Sequence, residues 1–294
     1  MCSFRVCLAE TMSRTDAFLF QISRKAQLFG VCDCILTGSF SACFFFFGVV
    51  LQGEAIKERD DKKMNFDEKY LKENMMGPNV VTLTEELTAN LRFTPDMRIM
   101  DLGCGTGLSS MVVAEKAGAQ VFAVDLWIPA TENYERFKEM GFEKNIIPIH
   151  ADVMELPFAQ GYFDAVVSID AYHYFGRNDT FLDEKLAPYV KEGGTIALAF
   201  PGFKDDIHDK LPEVMLRSWT EENLETFQSF AWWEAIFGKS ELVEVLSMRE
   251  MDCHDASWAD WLACDNPYAI NDRISMEAGA GQYMNLISVI CRRK

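Results

Sequence analysis

Apolar positions recur with two periods along residues 64–294. Val80, Leu83, Leu87 and Leu91 share one helical face, behind a start signal at Pro78-Asn79. Arg98-Ile99-Met100 reads as a short strand running into a glycine turn at 101–107. Residues 107–117 then read as a helix closed by Gly118, and 120–126 as a strand. A helix over 130–140 stops at Gly141. Ile146–His150 and Phe163–Ile169 are short apolar runs suited to buried strands. The pattern predicts a helix over 179–190, stopped near Gly193-Gly194, and a fifth strand over 195–200.

The alternation ends after Pro201. Residues 205–233 are acidic and aromatic and read as a helical insertion, a lid candidate spanning about 202–240. Strand candidates return at 242–248 and 286–291, with Trp258, Trp261 and a helical stretch between them. Strands alternating with helices predict an α/β fold, a Rossmann-like doubly wound sheet that is mostly parallel.

Composition divides the chain at Met64. The whole carries 28 Lys and Arg against 45 Asp and Glu, a net charge of −17. Residues 1–63 are nearly balanced, so the acidity belongs to residues 64–294. Such a surface repels phosphate backbones, and no nucleic-acid partner is expected. The first segment also holds Cys2, Cys7, Cys32, Cys34 and Cys43, and none of the 6 Trp. Two domains follow: an atypical extension over 1–63 and a complete domain over 64–294. Residues 35–51 are uncharged and reach only the lower edge of a bilayer span, about 17–25 residues. The extension therefore reads as a disordered or dispensable leader, as a membrane anchor through 35–51, or as an integral cap. The odd number of cysteines, 9, and their irregular spacing give no disulfide framework. No metal site is expected, and reduced thiols fit a cytoplasmic protein, with anchoring at a membrane as the alternative.

The strongest chemical signal is Asp-Leu-Gly-Cys-Gly-Thr-Gly at 101–107. Gly103, Gly105 and Gly107 permit a tight turn and close approach of a ligand, and the turn opens a helix. Asp101 closes the preceding strand. Asp125 ends the next one, placed to accept both hydroxyls of a ribose. Asp152 follows the third strand, where a carboxylate can receive the exocyclic amine of adenine. The spacing is G-x-G-x-G, not the dinucleotide pattern G-x-G-x-x-G, and Asp101 would oppose a pyrophosphate. A ligand with a ribose, an adenine, an amino group and a cationic centre suits this acidic rim.

These residues, with Ala151-Asp152 and the run FDAVVSIDAYHYF at 163–175, resemble the class I S-adenosylmethionine-dependent methyltransferases. Within them the chain is similar to small-molecule methylases of the ubiquinone/menaquinone type. The resemblance covers 66–200 well and 240–294 only in topology. It implies a sheet of about seven strands with an antiparallel last strand, S-adenosyl-L-methionine as cofactor and a small-molecule methyl acceptor. It places the loop from Asp101 through Gly103, Cys104, Gly105, Thr106 and Gly107 under the methionine part of the cofactor. Asp125 and Leu126 would border the ribose, Asp152 and Val153 the adenine, and Ser168, Ile169 and Asp170 the transferable methyl. Asn79 would touch the methionine carboxylate or only cap its helix.

His173 and Tyr172 are the catalytic candidates, just beyond the fourth strand. His173 would remove a proton from the acceptor, so its replacement by alanine is expected to lower turnover. Tyr172 and Tyr174 would orient the acceptor or face a cation. Trp219, Trp232, Trp233 and Phe237 would line an acceptor lid or form its own core. The competing functions are a non-catalytic binder of S-adenosylmethionine and a protein or RNA methylase.

Overall fold

The computed structural model describes residues 64–294; the extension over 1–63, including 35–51, lies outside the described residues. Two short helices come first, α1 at Glu68–Asn74 and α2 at Val80–Thr88. The βα alternation follows with β1 (Arg98–Leu102), α3 (Leu108–Ala117), β2 (Gln120–Asp125), α4 (Ala130–Glu139) and β3 (Ile146–His150). Then come β4 (Phe163–Ile169), a single helical turn α5 (Tyr172–Phe175) and β5 (Val190–Phe203). Two further helices, α6 (Glu221–Leu224) and α7 (Phe230–Phe237), precede β6 (Val243–Glu250). Helices α8 (His254–Leu262) and α9 (Pro267–Glu277) lead to β7 (Met284–Arg293).

The strands form one sheet in the order β3-β2-β1-β4-β5-β7-β6. The first five pair in parallel, while β7 runs antiparallel to both β5 and β6. This is the expected α/β architecture. Strand alternation splits the core into two layers. Ile99, Val121, Ala123, Val167 and Ala199 face a layer that holds Leu83 and Leu87 of α2 and Met111 and Val112 of α3. Met100, Phe122, Val166, Leu198 and Phe200 face the other, with Tyr172, Trp233 and Phe237. Alanines at 123, 165, 197 and 199 make the first face shallow, which suits close helix packing.

Several boundaries differ from expectation, and four of them have a local reason. The helix over 179–190 is a π-helical turn at Leu182–Leu186 followed by a 3-10 turn at Ala187–Tyr189. Pro188 lacks the N–H that an α-helix would need there. The fifth strand extends to Val190–Phe203 because β7 pairs with it as far as Phe203. Residues 205–233 are mostly turns, with a 3-10 turn at His208–Lys210 and only the four-residue α6 before α7. Finally, Gly107 caps α3 from outside it, in the left-handed region.

The aromatics of the insertion resolve in favour of a core. Trp233 is fully buried against Phe200, with ring centroids 4.7 Å apart, and stacks near Tyr172 and Phe237. Its indole Nε1 has no hydrogen-bond partner, so the ring contributes by packing alone. Trp233→Ala is expected to cost about 3–5 kcal/mol in urea unfolding. Trp233→Phe should lose markedly less, because a phenyl ring refills much of the space and the unpartnered indole N–H needs no replacement; equal losses for both would contradict this account.

Candidate active site

The carboxyl ends of β1 to β4 surround a cavity of about 300 Å³, where the strand order reverses between β1 and β4. Its wall takes Met76, Gly77, Pro78 and Val80 from the segment before and within α2. Gly103, Cys104, Gly105 and Thr106 come from the glycine turn, and Asp125, Leu126 and Trp127 from the end of β2. Asp152, Val153 and Met154 follow β3, while Ile169, Asp170, Ala171, Tyr174 and Phe175 follow β4.

Asp125 organises this wall. Its Oδ2 accepts a hydrogen bond from the Gly105 N–H at 2.8 Å. Its Oδ1 accepts from the N–H groups of Trp127 and Ile128, at 2.7 and 2.8 Å. One carboxylate thus joins the turn after β1 to the turn after β2. Asn133 of α4 supports the same loop from behind, its Nδ2 donating to the Gly105 carbonyl at 2.8 Å. Gly107 has φ +86°, and a Cβ there would lie 2.3 Å from the Phe137 ring, so only glycine fits.

Asp101 sits behind the loop and does not line the cavity. Ser109 and Ser110 of α3 both donate to its Oδ2 at 2.6 Å, while its buried Oδ1 has no partner. Burial pushes its carboxyl up to about 6 despite the two serines. Cys104 lies on the wall; burial beside Asp101 and Asp125 raises its thiol well above the usual range, so it stays protonated. Asp152 reaches the wall with its Oδ1 accepting from the Met154 N–H at 2.8 Å.

Several expected contacts fall elsewhere. Asn79 caps α2, its Oδ1 accepting from Val81 and Thr82, and its Nδ2 donates to Asp260 at 2.7 Å. Its side chain is thereby committed to structure, off the cavity wall. Ser168 is fully buried and donates to the Leu102 carbonyl at 2.7 Å, tying β4 to β1. Gly107 is likewise absent from the wall.

The two catalytic candidates lie off the cavity wall. Tyr172 points into the aromatic core, between Phe200, Phe237 and Phe181, and is fully buried. His173 is 1% exposed, packs on Tyr174 and Phe227, and leaves its Nδ1 without a partner. Burial and the nearby Arg177 lower it to about 3, so it is neutral at physiological pH. Neither side chain lines the cavity. One turn of helix, α5, turns both inward and presents Tyr174 and Phe175 instead. The insertion also contributes no lining residue.

Sequence reasoning missed Met76, Gly77, Trp127, Met154 and Phe175 on the wall. Exposed apolar residues flanking the motif carried the only available signal: Trp127 is 64% and Met76 48% exposed. Among the described residues, no group of His, Cys, Asp and Glu is arranged to hold a metal ion.

Residues 99–194 match a family described as a methyltransferase domain. Among curated proteins, the chain is 27% identical over 152 residues to the methyltransferase GfsG of Streptomyces halstedii, covering 50% of this chain and 54% of that protein. It is 33% identical over 106 residues to a demethylmenaquinone methyltransferase of Thermus thermophilus, covering 35% and 47%. The chain spans about half the length of the curated relatives it matches. Among solved structures, a geranyl diphosphate methyltransferase in complex with SAM superposes with a TM-score of 0.59 at 15% identity, over 74% of this chain and 86% of that one. That likeness is one of fold. The match over residues 99–194 takes in the glycine turn, the first four strands and the acids Asp125 and Asp152, so this part of the chain is similar to a methyltransferase domain.

Asp170 gives a pH prediction. Burial, with a smaller contribution from Asp272, pushes its carboxyl up to about 8 from 3.8. The fold therefore holds this proton more tightly than the unfolded chain does. Its contribution is complete below about pH 4 and is lost as pH rises towards 8. Asp170→Asn should gain stability relative to the parent between pH 4 and 8.5, by roughly 2 kcal/mol after allowing for water in the open cavity. Urea midpoints for both proteins at the two pH values measure this, and a pH-independent difference would refute it.

Proposed function

We propose that this protein transfers a methyl group from S-adenosylmethionine to a small-molecule acceptor. The observation that carries the reading is the Asp125 bridge. It holds the glycine turn open beside a cavity whose ionisable side chains, among the described residues, include the acids Asp125, Asp152 and Asp170 and no base. That donor set fits a cofactor with a sulfonium, an ammonium and a hydroxyl-rich sugar. It disfavours a pyrophosphate-bearing dinucleotide, which would meet Asp125 and Asp152 and, among the described residues, no basic side chain.

In this reading Asp125 accepts from the ribose, for which a carboxylate with four lone-pair sites retains capacity beyond its three backbone bonds. Asp152, Leu126 and Val153 flank the adenine, and Gly103 to Thr106 lie beneath the methionine part. The bound cofactor supplies an already activated methyl group. The protein's work is then alignment and exclusion of water, not heavy acid–base chemistry. Apolar wall residues such as Met76, Phe175 and Ile169 serve that exclusion. The names of relatives speak of demethylmenaquinone, sarcosine and dimethylglycine, and tocopherol, which supports a small molecule without selecting one.

Asp125→Ala should weaken S-adenosylhomocysteine binding by about a hundredfold in calorimetry, a loss near 2.7 kcal/mol. Affinity equal to the parent's would remove the ribose role. His173 predicts a negative result: with its ring neutral down to about pH 3, turnover should show no limb near pH 6.5 attributable to it. A limb near 6.5 that vanishes in His173→Leu would restore it as a base. Incubating the full chain with methyl-labelled cofactor and a metabolite extract, then analysing the products by mass spectrometry, tests the activity itself. Cofactor binding without any labelled product would favour a non-catalytic binder.

A further inference from the structure

Once Asp125 and Asp152 are given to the nucleoside, one acidic group on the wall remains without a task, Asp170. Asp170 follows directly on β4 and has φ +56°, the one positive-φ non-glycine residue among the described residues. Asp adopts this region more readily than most residues, yet such a conformation still carries strain. The backbone is fixed there, since the Asp170 N–H donates to the Ala199 carbonyl at 2.7 Å and extends the β4–β5 ladder. A second concession lies opposite. A Cβ on Gly77 would come within 2.2 Å of the Asp170 Oδ2, so the carboxylate occupies space that only glycine leaves free. Despite both concessions, the side chain has no hydrogen bond: only desolvation and the charge of Asp272 act on it. Asp272 does not compete for its ligand, because its own oxygens accept from the indole N–H groups of Trp219 and Trp261, at 2.8 and 2.9 Å.

A strained, unpartnered carboxylate on a cavity wall is poised for an external donor. Tyr174 and Phe175 stand beside it on the same wall, and Tyr174 meets Trp127 edge-on at 5.4 Å. Aromatic rings next to a carboxylate form a setting for an organic cation. Among the described residues no Lys, Arg or His lines the cavity, so a phosphate or carboxylate head group meets no basic partner there.

We propose that the methyl acceptor is a small amine that enters as its ammonium ion and donates N–H hydrogen bonds to Asp170. It passes one proton to that carboxylate, so that the freed nitrogen lone pair attacks the methyl carbon while the S–C bond breaks and the sulfur leaves with its electron pair. The Tyr174 and Phe175 rings flank the carbon skeleton. This rests on the methyl-transfer reading above and narrows it to one substrate class. The cofactor also carries an ammonium, so the test must separate the two sources of positive charge.

The full chain is saturated with S-adenosylhomocysteine and titrated in a calorimeter with benzylamine and, separately, with benzyl alcohol, its uncharged counterpart. The amine should bind tighter by about tenfold or more. Asp170→Asn keeps the shape and tolerates the same backbone angles, and it should bring the two ligands within about twofold of each other. Asp170→Gly relieves the strained φ altogether and serves as the second variant, with the same loss expected. In both variants, affinity for S-adenosylhomocysteine should stay within about twofold of the parent's. Equal binding of amine and alcohol by the parent, or binding of neither, overturns the proposal. So does a tenfold weakening of S-adenosylhomocysteine in Asp170→Asn, about 1.4 kcal/mol, which would assign the carboxylate to the cofactor's ammonium. Failure of the parent to bind S-adenosylhomocysteine at all would be a different result, the loss of the methyl-transfer reading itself.

Discussion

Three backbone N–H groups converge on one carboxylate, and the site depends on that convergence. Asp125 accepts from Gly105 in one turn and from Trp127 and Ile128 in the next. Backbone amides at strand ends have no ladder partner, and a charged acceptor satisfies three of them at once. The same bonds fix how far the glycine turn stands from the β2 end, and hence the width of the crevice. Asn133 closes the arrangement by donating to the carbonyl of Gly105, while Arg136 donates in turn to the Asn133 side-chain Oδ1 at 3.0 Å. The loop is therefore held from both sides before any ligand arrives, which lowers the ordering cost of binding.

Around this bridge the domain gathers four carboxyl groups, two of which, Asp101 and Asp170, burial pushes up to about 6 and about 8. Asp101, Asp125, Asp152 and Asp170 stand at successive strand ends, yet each has a different environment. Two serines and burial hold Asp101, backbone amides hold Asp125, and one amide holds Asp152. Asp170 is held by nothing. Like charges gathered in a partly dry crevice raise the free energy of the empty site and favour cationic ligands over anionic ones. Exposed apolar side chains at the rim, Leu126, Trp127, Met154 and Tyr174 among them, complete a surface that is acidic within and greasy at its edge.

Sequence patterns carried much of the scaffold. β3 and β4 fall at the bounds read from their apolar runs, and the glycine turn lies between β1 and α3 as expected. The motif acids at 125 and 152 reach the cavity because strand ends are where a parallel sheet opens. Errors gathered where local propensity competes with tertiary contacts. Pro188 broke a helix that apolar spacing alone suggested, and β7 drew β5 out beyond its apolar run. At α5, four residues with near-equal hydrophobicity gave no sign of which two would face the cavity.

Residue order and chemistry alone determined the parallel sheet, the glycine turn and the acidic character of its surroundings. Those features are local or periodic: a turn needs its glycines, and a buried strand needs its apolar run. Only the folded chain decided that His173 faces Phe227, that Tyr172 joins the core with Trp233, and that Asn79 is spent on a cap. It also set Asp170 against Gly77, residues far apart in the chain. Such pairings depend on helix rotation and on packing between distant segments. A rotation of one residue, about 100° in a helix, exchanges a wall side chain for a core one, and no linear pattern across four residues encodes that angle.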